Sequence, residues 1–301
     1  MSVRLFLAVA LFPFLLLRSQ EPVFRSRVSL VRVDAQVTDG GRTVDGLERD
    51  DFVVKDNDRP RSILYFSQDD QPLDLLLLFD ISASMLPGIR TLAASSQSAL
   101  AELRPGDRVA IADFNTQTSL MAPFSGNLRE VEDSVGRVPG LRFGGGTHIL
   151  AAIHEAAGYF PRNADREGER RRAILIFTDD DGQSSMSEKR VVDRLWASDI
   201  LVCGLVIPTL ESRSRKPNRL VRESMAGVVS KTGGELLHAD QSGKTFQEIL
   251  RRVRKRYSIY YETPPGLQGM PREVSVELSE SAQSRYPGAR ILARKGYVIP
   301  N

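Results

Sequence analysis

The feature that most constrains the fold is an apolar run at residues 73–79, which ends in Asp80 and continues into the alternating hydroxyls of Ser82 and Ser84. Only Asp74 interrupts the run, which is typical of a strand buried on both faces of a sheet. Open α/β sheets bind their ligands beyond the carboxyl ends of such strands. Carboxylate and hydroxyl oxygens suit Mg²⁺, Ca²⁺ or Mn²⁺ better than Zn²⁺ or Cu²⁺. The run therefore predicts a central strand with metal-binding oxygens at its end.

Two later segments provide oxygens in the same kind of position. Thr147 follows three glycines and opens an apolar-periodic segment at 149–157. A second buried-strand run at 173–177 continues into Thr178 and the three aspartates at 179–181. Each side chain has a simpler interpretation by itself, because Asp, Ser and Thr often cap helices or occupy turns. Their order along the chain favours one shared metal site.

The order Asp-x-Ser-x-Ser, then Thr after glycines, then a strand ending in Thr-Asp resembles the von Willebrand factor type A domain and its metal-ion-dependent adhesion site. The resemblance implies that the hydroxyls of Ser82, Ser84 and Thr147 bind the metal. It also implies that Asp80 and Asp179 bind the metal directly or through water.

The aspartates after the second strand depart from the family pattern. The family usually has Asp-Gly after the last Thr, whereas Asp180 and Asp181 here come before Gly182. Asp179 is the preferred ligand because it directly follows the strand. Asp180 and Asp181 stay open as alternatives.

The composition of this donor set indicates what a metal would do. Mg²⁺ takes about six oxygens in octahedral geometry and gives up water reluctantly. Three neutral hydroxyls and two carboxylates leave such an ion incompletely coordinated. We therefore expect Mg²⁺ as the cofactor, with Mn²⁺ and Ca²⁺ as alternatives, and a protein partner whose Asp or Glu carboxylate completes the coordination.

The chain divides into three parts after its N-terminal segment. Residues 24–70 alternate between apolar and polar over short stretches, which predicts a β-rich segment. Residues 71–256 alternate between strand and helix patterns, which predicts an α/β domain with a doubly wound, mostly parallel sheet of the von Willebrand factor A or Rossmann-like kind. Residues 257–301 are β-rich again, and we expect them to pair with 24–70 in a small antiparallel flanking domain.

This layout is similar to a family of secreted bacterial von Willebrand factor A-related proteins of the acidobacterial type. The shared motifs are a Val-x-Asp-Gly, Val-x-Gly-Leu and Asp-Phe prelude, a Gly-Gly-Thr segment, a Thr-Gly-Gly turn and a closing Arg-Lys-Gly-Tyr. They stand at 37–40, 44–47, 51–52, 145–147, 232–234 and 294–297.

The N-terminus predicts the compartment. Arg4 precedes an apolar stretch at 5–17, which is typical of a secretory signal peptide over residues 1–20. We expect a secreted, periplasmic or cell-envelope protein, with a membrane contact only if this segment stays uncleaved. A formal charge of +3 and the absence of a recognition motif argue against nucleic-acid binding. The single Cys203 excludes an intrachain disulfide and a Cys-based zinc site.

The sequence favours a binding protein over an enzyme. The three His are scattered, no Gly-x-Ser-x-Gly elbow is present, and no His lies near Ser82 in sequence to act as its base. The alternatives are a metal-assisted hydrolase, and a domain whose metal is structural while the flanking β region makes the contact. Two basic runs are predicted to be a solvated loop at 170–172 and a helix end at 251–256.

Overall fold

The computed structural model describes residues 29–68, 71–161, 170–183, 185–209, 222–239 and 244–299. The predicted signal peptide lies outside these ranges. No helix within them has the length and apolar character needed to cross a membrane.

The described chain begins with five short strands: β1 (Leu30–Asp39), β2 (Arg42–Thr43), β3 (Phe52–Asp56), β4 (Arg59–Arg61) and β5 (Tyr65–Gln68). The alternating apolar positions of β1 face inward, since Val31, Val33, Ala35 and Val37 are all buried. Period-two alternation is what a strand with one covered face requires.

The central part alternates strands and helices. Its elements are β6 (Leu73–Asp80), α1 (Leu86–Leu100), β7 (Arg108–Phe114), β8 (Thr118–Ser125), α2 (Leu128–Arg137), α3 (Ile149–Ala156), β9 (Arg171–Thr178), β10 (Gly182–Gln183), α4 (Glu188–Ala197), β11 (Ile200–Val206), β12 (Arg222–Glu223), α5 (Ala226–Thr232), β13 (Leu236–His238) and α6 (Lys244–Arg254).

Six of these strands form one mixed sheet in the order β13-β11-β9-β6-β7-β8. Five run parallel, while β8 turns back and pairs antiparallel with β7. Side chains of α1, α2 and α6 pack on one face of the sheet, and side chains of α3, α4 and α5 pack on the other. All eight residues of β6 are buried because strands flank it and helices cover it. The predicted α/β, Rossmann-like class is confirmed.

The chain then returns to strands: β14 (Tyr257–Glu262), β15 (Pro271–Leu278), the short helix α7 (Glu280–Arg285), β16 (Arg290–Ala293) and β17 (Gly296–Val298). β1 lies between β14 and β16, and β3 lies between β15 and β4, all antiparallel. Early and late segments therefore pair within both of two small sheets, which share one apolar core.

The prediction of a solvated loop at 170–172 is wrong. β9 begins at Arg171, whose side chain is only 2% exposed. Arg254 and Arg256, from the second basic run, are also buried. These arginines lie where the central sheet meets the flanking sheets, so their charges are enclosed within the protein.

Asp56 is a buried carboxylate inside the flanking sheets. Its carboxylate is fully buried and accepts hydrogen bonds from Tyr261 Oη at 2.8 Å, Tyr297 Oη at 2.7 Å and Arg272 Nε at 2.7 Å. Burial alone would raise the pKa of Asp56, but the hydrogen bonds from Arg272 and the two tyrosines outweigh it and lower that pKa.

Replacing Asp56 with asparagine is expected to lower the free energy of unfolding by about 2 kcal/mol at pH 7, because hydrogen bonds to a charged acceptor are lost. Because the pKa of Asp56 is lower in the folded than in the unfolded protein, its carboxylate stabilises the fold at pH values above the unfolded pKa of about 4. This stabilisation is lost as the pH falls from there through the folded-state pKa. Denaturant titrations from pH 7 to pH 2 should therefore show the gap between wild type and variant closing below about pH 4. A constant gap would contradict this assignment, and Asp50→Asn, whose side chain is 85% exposed, is the matched control.

Candidate metal centre

The segments that follow β6 and β9 meet because these strands are parallel neighbours, with Phe79 opposite Phe177. Each strand therefore ends beside the other. Asp80 is fully buried, and its Oδ2 accepts a hydrogen bond of 2.7 Å from Thr178 Oγ1. Asp80 Oδ1 accepts a second bond, of 2.8 Å, from the backbone amide of Ser82. The carboxylate is thus held in place by both loops.

Ser84 and Asp179 also join the segments after β6 and β9, and Thr209, after β11, adds a third segment. Ser84 Oγ donates to Asp179 Oδ2 over 3.1 Å, and Thr209 Oγ1 donates to the same oxygen over 3.1 Å. Ser84 lies in a short 3₁₀ turn, Ala83–Met85, that leads into α1. The turn positions the Ser84 hydroxyl opposite the end of β9.

The loop that carries Thr147 is hydrogen-bonded to both of the others. The Gly144 amide donates to Ile81 O over 2.9 Å, and the Gln183 amide donates to Thr147 O over 2.7 Å. Gly145 has φ +85°, a conformation that strongly favours glycine. The glycine run thus lets this loop lie against its neighbours, with Thr147 only 6% exposed.

Ser82 differs from the other predicted donors. Its side chain is 5% exposed, and Oγ has no hydrogen-bond partner among the residues that the structure describes. A buried hydroxyl without a partner costs about 1–3 kcal/mol. A divalent cation would satisfy such an oxygen, so the residues fit the metal that their chemistry implies. No group of three or more His, Cys, Asp and Glu side chains in the described ranges could hold a metal, so a site here depends on hydroxyls.

The negative charges at the ends of β6 and β9 also favour a bound cation. Burial raises the pKa of Asp80 to about 6, and the negative charge of Asp179 adds to that effect. A cation placed between the loops would reverse this by favouring the charged carboxylate.

Asp180 is hydrogen-bonded to a different segment from these pairs. Its carboxylate accepts hydrogen bonds from Ser224 Oγ at 2.8 Å and from the Met225 amide at 2.9 Å, just before α5. Asp180 also has φ +58°, the left-handed conformation that glycine usually supplies and that Asp tolerates. The structure therefore brings Asp179 to Ser84, while Asp180 is bonded to the residues just before α5.

Glu223 is a residue that the sequence did not single out. It is 5% exposed and accepts hydrogen bonds from the Leu150 amide at 2.9 Å and the Ser185 amide at 2.9 Å. It thereby ties the start of α3, just after Thr147, to the segment following β10. Glu223 itself lies in β12, and α5 begins only at Ala226.

Comparisons with known proteins agree with the residue pattern. Residues 75–183 match the family model of the von Willebrand factor type A domain. The match does not test the finer resemblance to the acidobacterial type, which stays a prediction. No curated protein matches the chain.

Three solved structures are similar. An aerotolerance-related membrane protein from Bacteroides fragilis, with multiple mutations to serines, is 21% identical, with 60% of this chain and 98% of that one covered and a TM-score of 0.44. The conserved hypothetical protein BatB from Bacteroides thetaiotaomicron is 17% identical, with coverage of 60% and 97% and a TM-score of 0.45. Proximal thread matrix protein 1 from the mussel byssus is 13% identical, with coverage of 66% and 51% and a TM-score of 0.47.

Proposed function

We propose that this protein, whose residues 75–183 match the von Willebrand factor type A domain, is a non-enzymatic binding protein that captures a protein partner through a divalent cation. A type A domain suggests a role in protein interaction or adhesion. The observation that carries the metal-dependent form of this role is the buried hydroxyl of Ser82, which has no hydrogen-bond partner in the described ranges and lies next to the Asp80 carboxylate. We further propose that the protein acts outside the cytoplasm, as a secreted or periplasmic component.

In this proposal Ser82, Ser84 and Thr147 would hold Mg²⁺ through their hydroxyls, with Asp80 and Asp179 binding directly or through water. Mn²⁺ or Ca²⁺ could take its place, since both accept oxygen donors. The cation would supply a Lewis-acidic position for a carboxylate oxygen of the partner. The protein's own contribution is to hold two carboxylates in place through Thr178 and Thr209, so that few side chains must reorder.

The flanking sheets have a supporting role in this proposal. The segments 24–70 and 257–301 would form one unit that braces the doubly wound domain at 71–256. Buried arginines, among them Arg171, connect the two parts through hydrogen bonds to Asp34 and Ser258. Such a connection would leave the carboxyl edge of the central sheet free for a partner.

Calorimetric titration of the protein with Mg²⁺ and Mn²⁺ is expected to show saturable binding at one site. Ser82→Ala should weaken that binding by about tenfold or more, because it removes a metal-binding oxygen. The same change should leave the protein folded, since the described residues provide no hydrogen-bond partner for that hydroxyl within normal geometry. Asp80→Ala should weaken binding further.

Ser224→Ala is the matched control for this titration. It also removes a serine hydroxyl near the strand ends, but one that is bonded to Asp180. Unchanged metal affinity in Ser82→Ala, or an equal loss in Ser224→Ala, would contradict the proposed ligand set. Absence of binding in the wild type would reduce the proposal to the fold alone.

The two alternatives predict other results. A metal-assisted hydrolase requires turnover that disappears together with metal binding in Ser82→Ala. A purely structural metal requires that chelation lowers the thermal midpoint while a partner stays bound through the flanking sheets. Partner retention measured with Mg²⁺ and with chelator, at a temperature where both forms are folded, separates the structural alternative from the proposed one.

A further inference from the structure

A small cavity lies between the central sheet and the flanking sheets, on the edge of the arginine cluster. Its volume is about 20 Å³, and its polar lining comes from Asp34, Arg172, Asp199, Arg256 and Arg294. That volume is large enough for one water molecule or one monatomic ion. It is distinct from the candidate metal centre, since its lining comes from the beginning of β9 and β11 rather than from their carboxyl ends.

Arg256 is the unusual member of this lining. Its side chain is fully buried, and one amino group donates to Gly233 O at 2.6 Å and to Gln36 Oε1 at 3.3 Å. Its Nε and Nη1 have no hydrogen-bond partner in the described part of the chain. Both observed acceptors are uncharged. The charges of Asp34 and Glu235 act on Arg256 through space, but neither carboxylate is a hydrogen-bond partner of it among the described residues. A buried guanidinium whose N–H groups lack partners is destabilising, so this one favours an anion.

The two carboxylates in the cavity wall are already paired with other arginines. Asp34 accepts from Arg171 Nε at 3.0 Å, and Asp199 accepts from Arg294 Nη1 at 2.7 Å. Arg32 lies within ion-pair distance of both carboxylates. Three guanidinium groups therefore share two negative charges before Arg256 is counted.

The remaining described neighbours are paired elsewhere or neutral. Within the described ranges, Arg172 is bonded only to carbonyl oxygens, those of Ser198 and Pro161. Glu235 is paired with Arg252 at 2.7 Å. Burial raises the pKa of the Cys203 thiol, which keeps it protonated and neutral. Among the residues that the structure describes, positive charge is thus in excess around a cavity of ionic size.

We propose that this cavity binds a single chloride ion, held by the unpartnered N–H groups of Arg256 with Arg294 and Arg172 beside it. A water molecule would satisfy the same N–H groups but would leave the excess charge. Bound chloride would neutralise Arg256 and fasten the flanking sheets to the central sheet. Asp199 forms the more accessible wall, with a side chain 43% exposed, so an ion could enter there.

Thermal unfolding in sodium chloride, against sodium gluconate of equal ionic strength, tests this site. Gluconate is too large for the cavity. Each tenfold increase in chloride above its dissociation constant should raise the midpoint by about 3 °C. Arg256→Met should lose this chloride dependence, while Arg129→Gln, which removes an exposed arginine on α2, should keep it. Equal midpoints in chloride and gluconate, or an unchanged chloride dependence in Arg256→Met, would overturn the proposal.

Bromide replaces chloride in such sites and has anomalous scattering, so it provides a measurement that does not depend on a variant that folds. Crystals of the wild-type protein grown in sodium bromide should show an anomalous peak beside Arg256 and Arg294. Water density without an anomalous peak at that place would overturn the proposal, whatever the thermal data show.

Discussion

Replacing Gly234 with alanine is expected to lower the free energy of unfolding by about 3 kcal/mol or more. A Cβ at this position would lie 1.7 Å from the carbonyl oxygen of Val202, far inside van der Waals contact. Val202 is in β11, which is paired on both sides within the central sheet, so its backbone cannot move away without loss of hydrogen bonds. The Gly234 amide also closes α5 by donating to Val229 O at 2.8 Å. The chain is therefore fixed on both sides of the clash.

Gly136→Ala is the matched control for that substitution. Gly136 lies in α2, and a Cβ there would meet nothing within 4 Å. In an exposed helix the change from glycine to alanine is expected to stabilise by up to about 1 kcal/mol. Guanidinium chloride unfolding of the two variants should give shifts of opposite sign. A Gly234→Ala variant within 1 kcal/mol of the wild type would mean that β11 and α5 separate more easily than their hydrogen bonds indicate.

The Thr-Gly-Gly turn illustrates what the sequence could and could not provide. The sequence predicts a turn there, and 232–234 is one of the motifs that carry the resemblance to the acidobacterial type. Its glycines are required for different reasons, since Gly233 has φ +80° while Gly234 must lie against Val202 O. The second reason depends on which strand lies beside the turn, and that is a long-range fact. A local pattern can locate such a turn but cannot reveal its contact.

In the candidate site, too, some features follow from the local sequence and others depend on distant contacts. The positions of Asp80, Ser82 and Ser84 follow from one strand and its end, and a buried apolar run predicts that locally. Glu223 had no local signal, because its partners Leu150 and Ser185 lie 73 and 38 residues away. The orientation of Asp180 toward Ser224 likewise depends on a contact across 44 residues. Strand ends are readable from sequence, whereas the hydrogen bonds between loops require the assembled sheet.

The arginines show where sequence reasoning was wrong. Charge runs are usually solvated, so the run at 170–172 was predicted to be a loop. The partner that makes burial of Arg171 favourable is Asp34, 137 residues earlier in the chain. Asp34 stands on β1 and reaches Arg171 only because the flanking sheets pack against the start of β9. Burial alone would raise the pKa of Asp34, yet the charges of Arg171 and Arg32 hold that pKa well below its usual range.

Arg171→Met is accordingly expected to lower the free energy of unfolding by about 3–5 kcal/mol at pH 7, the usual cost of leaving one member of a buried ion pair. Besides Asp34, the Arg171 guanidinium donates to Val253 O at 3.1 Å, Arg254 O at 2.8 Å and Ser258 Oγ at 3.0 Å. It thus satisfies carbonyl oxygens at the end of α6 as well as a strand carboxylate. Methionine fills a similar volume but satisfies none of these groups.

Two further variants separate the charge from the geometry. Arg171→Lys keeps the charge but not the planar fork, so it should recover only part of the loss. The double variant Arg171→Met with Asp34→Leu removes both charges of this pair. It should be more stable than the single Arg171→Met, because it also removes the carboxylate that Arg171→Met leaves with the more distant Arg32, at 3.9 Å, as its ionic partner. Urea titrations of the wild type, Arg171→Met, Asp34→Leu and the double variant form the required double-mutant cycle, and Arg171→Lys is measured beside them. If the double variant were less stable than Arg171→Met by the full cost of a second core substitution, the carbonyl contacts at the end of α6, rather than the ion pair, would be what connects the two sheets.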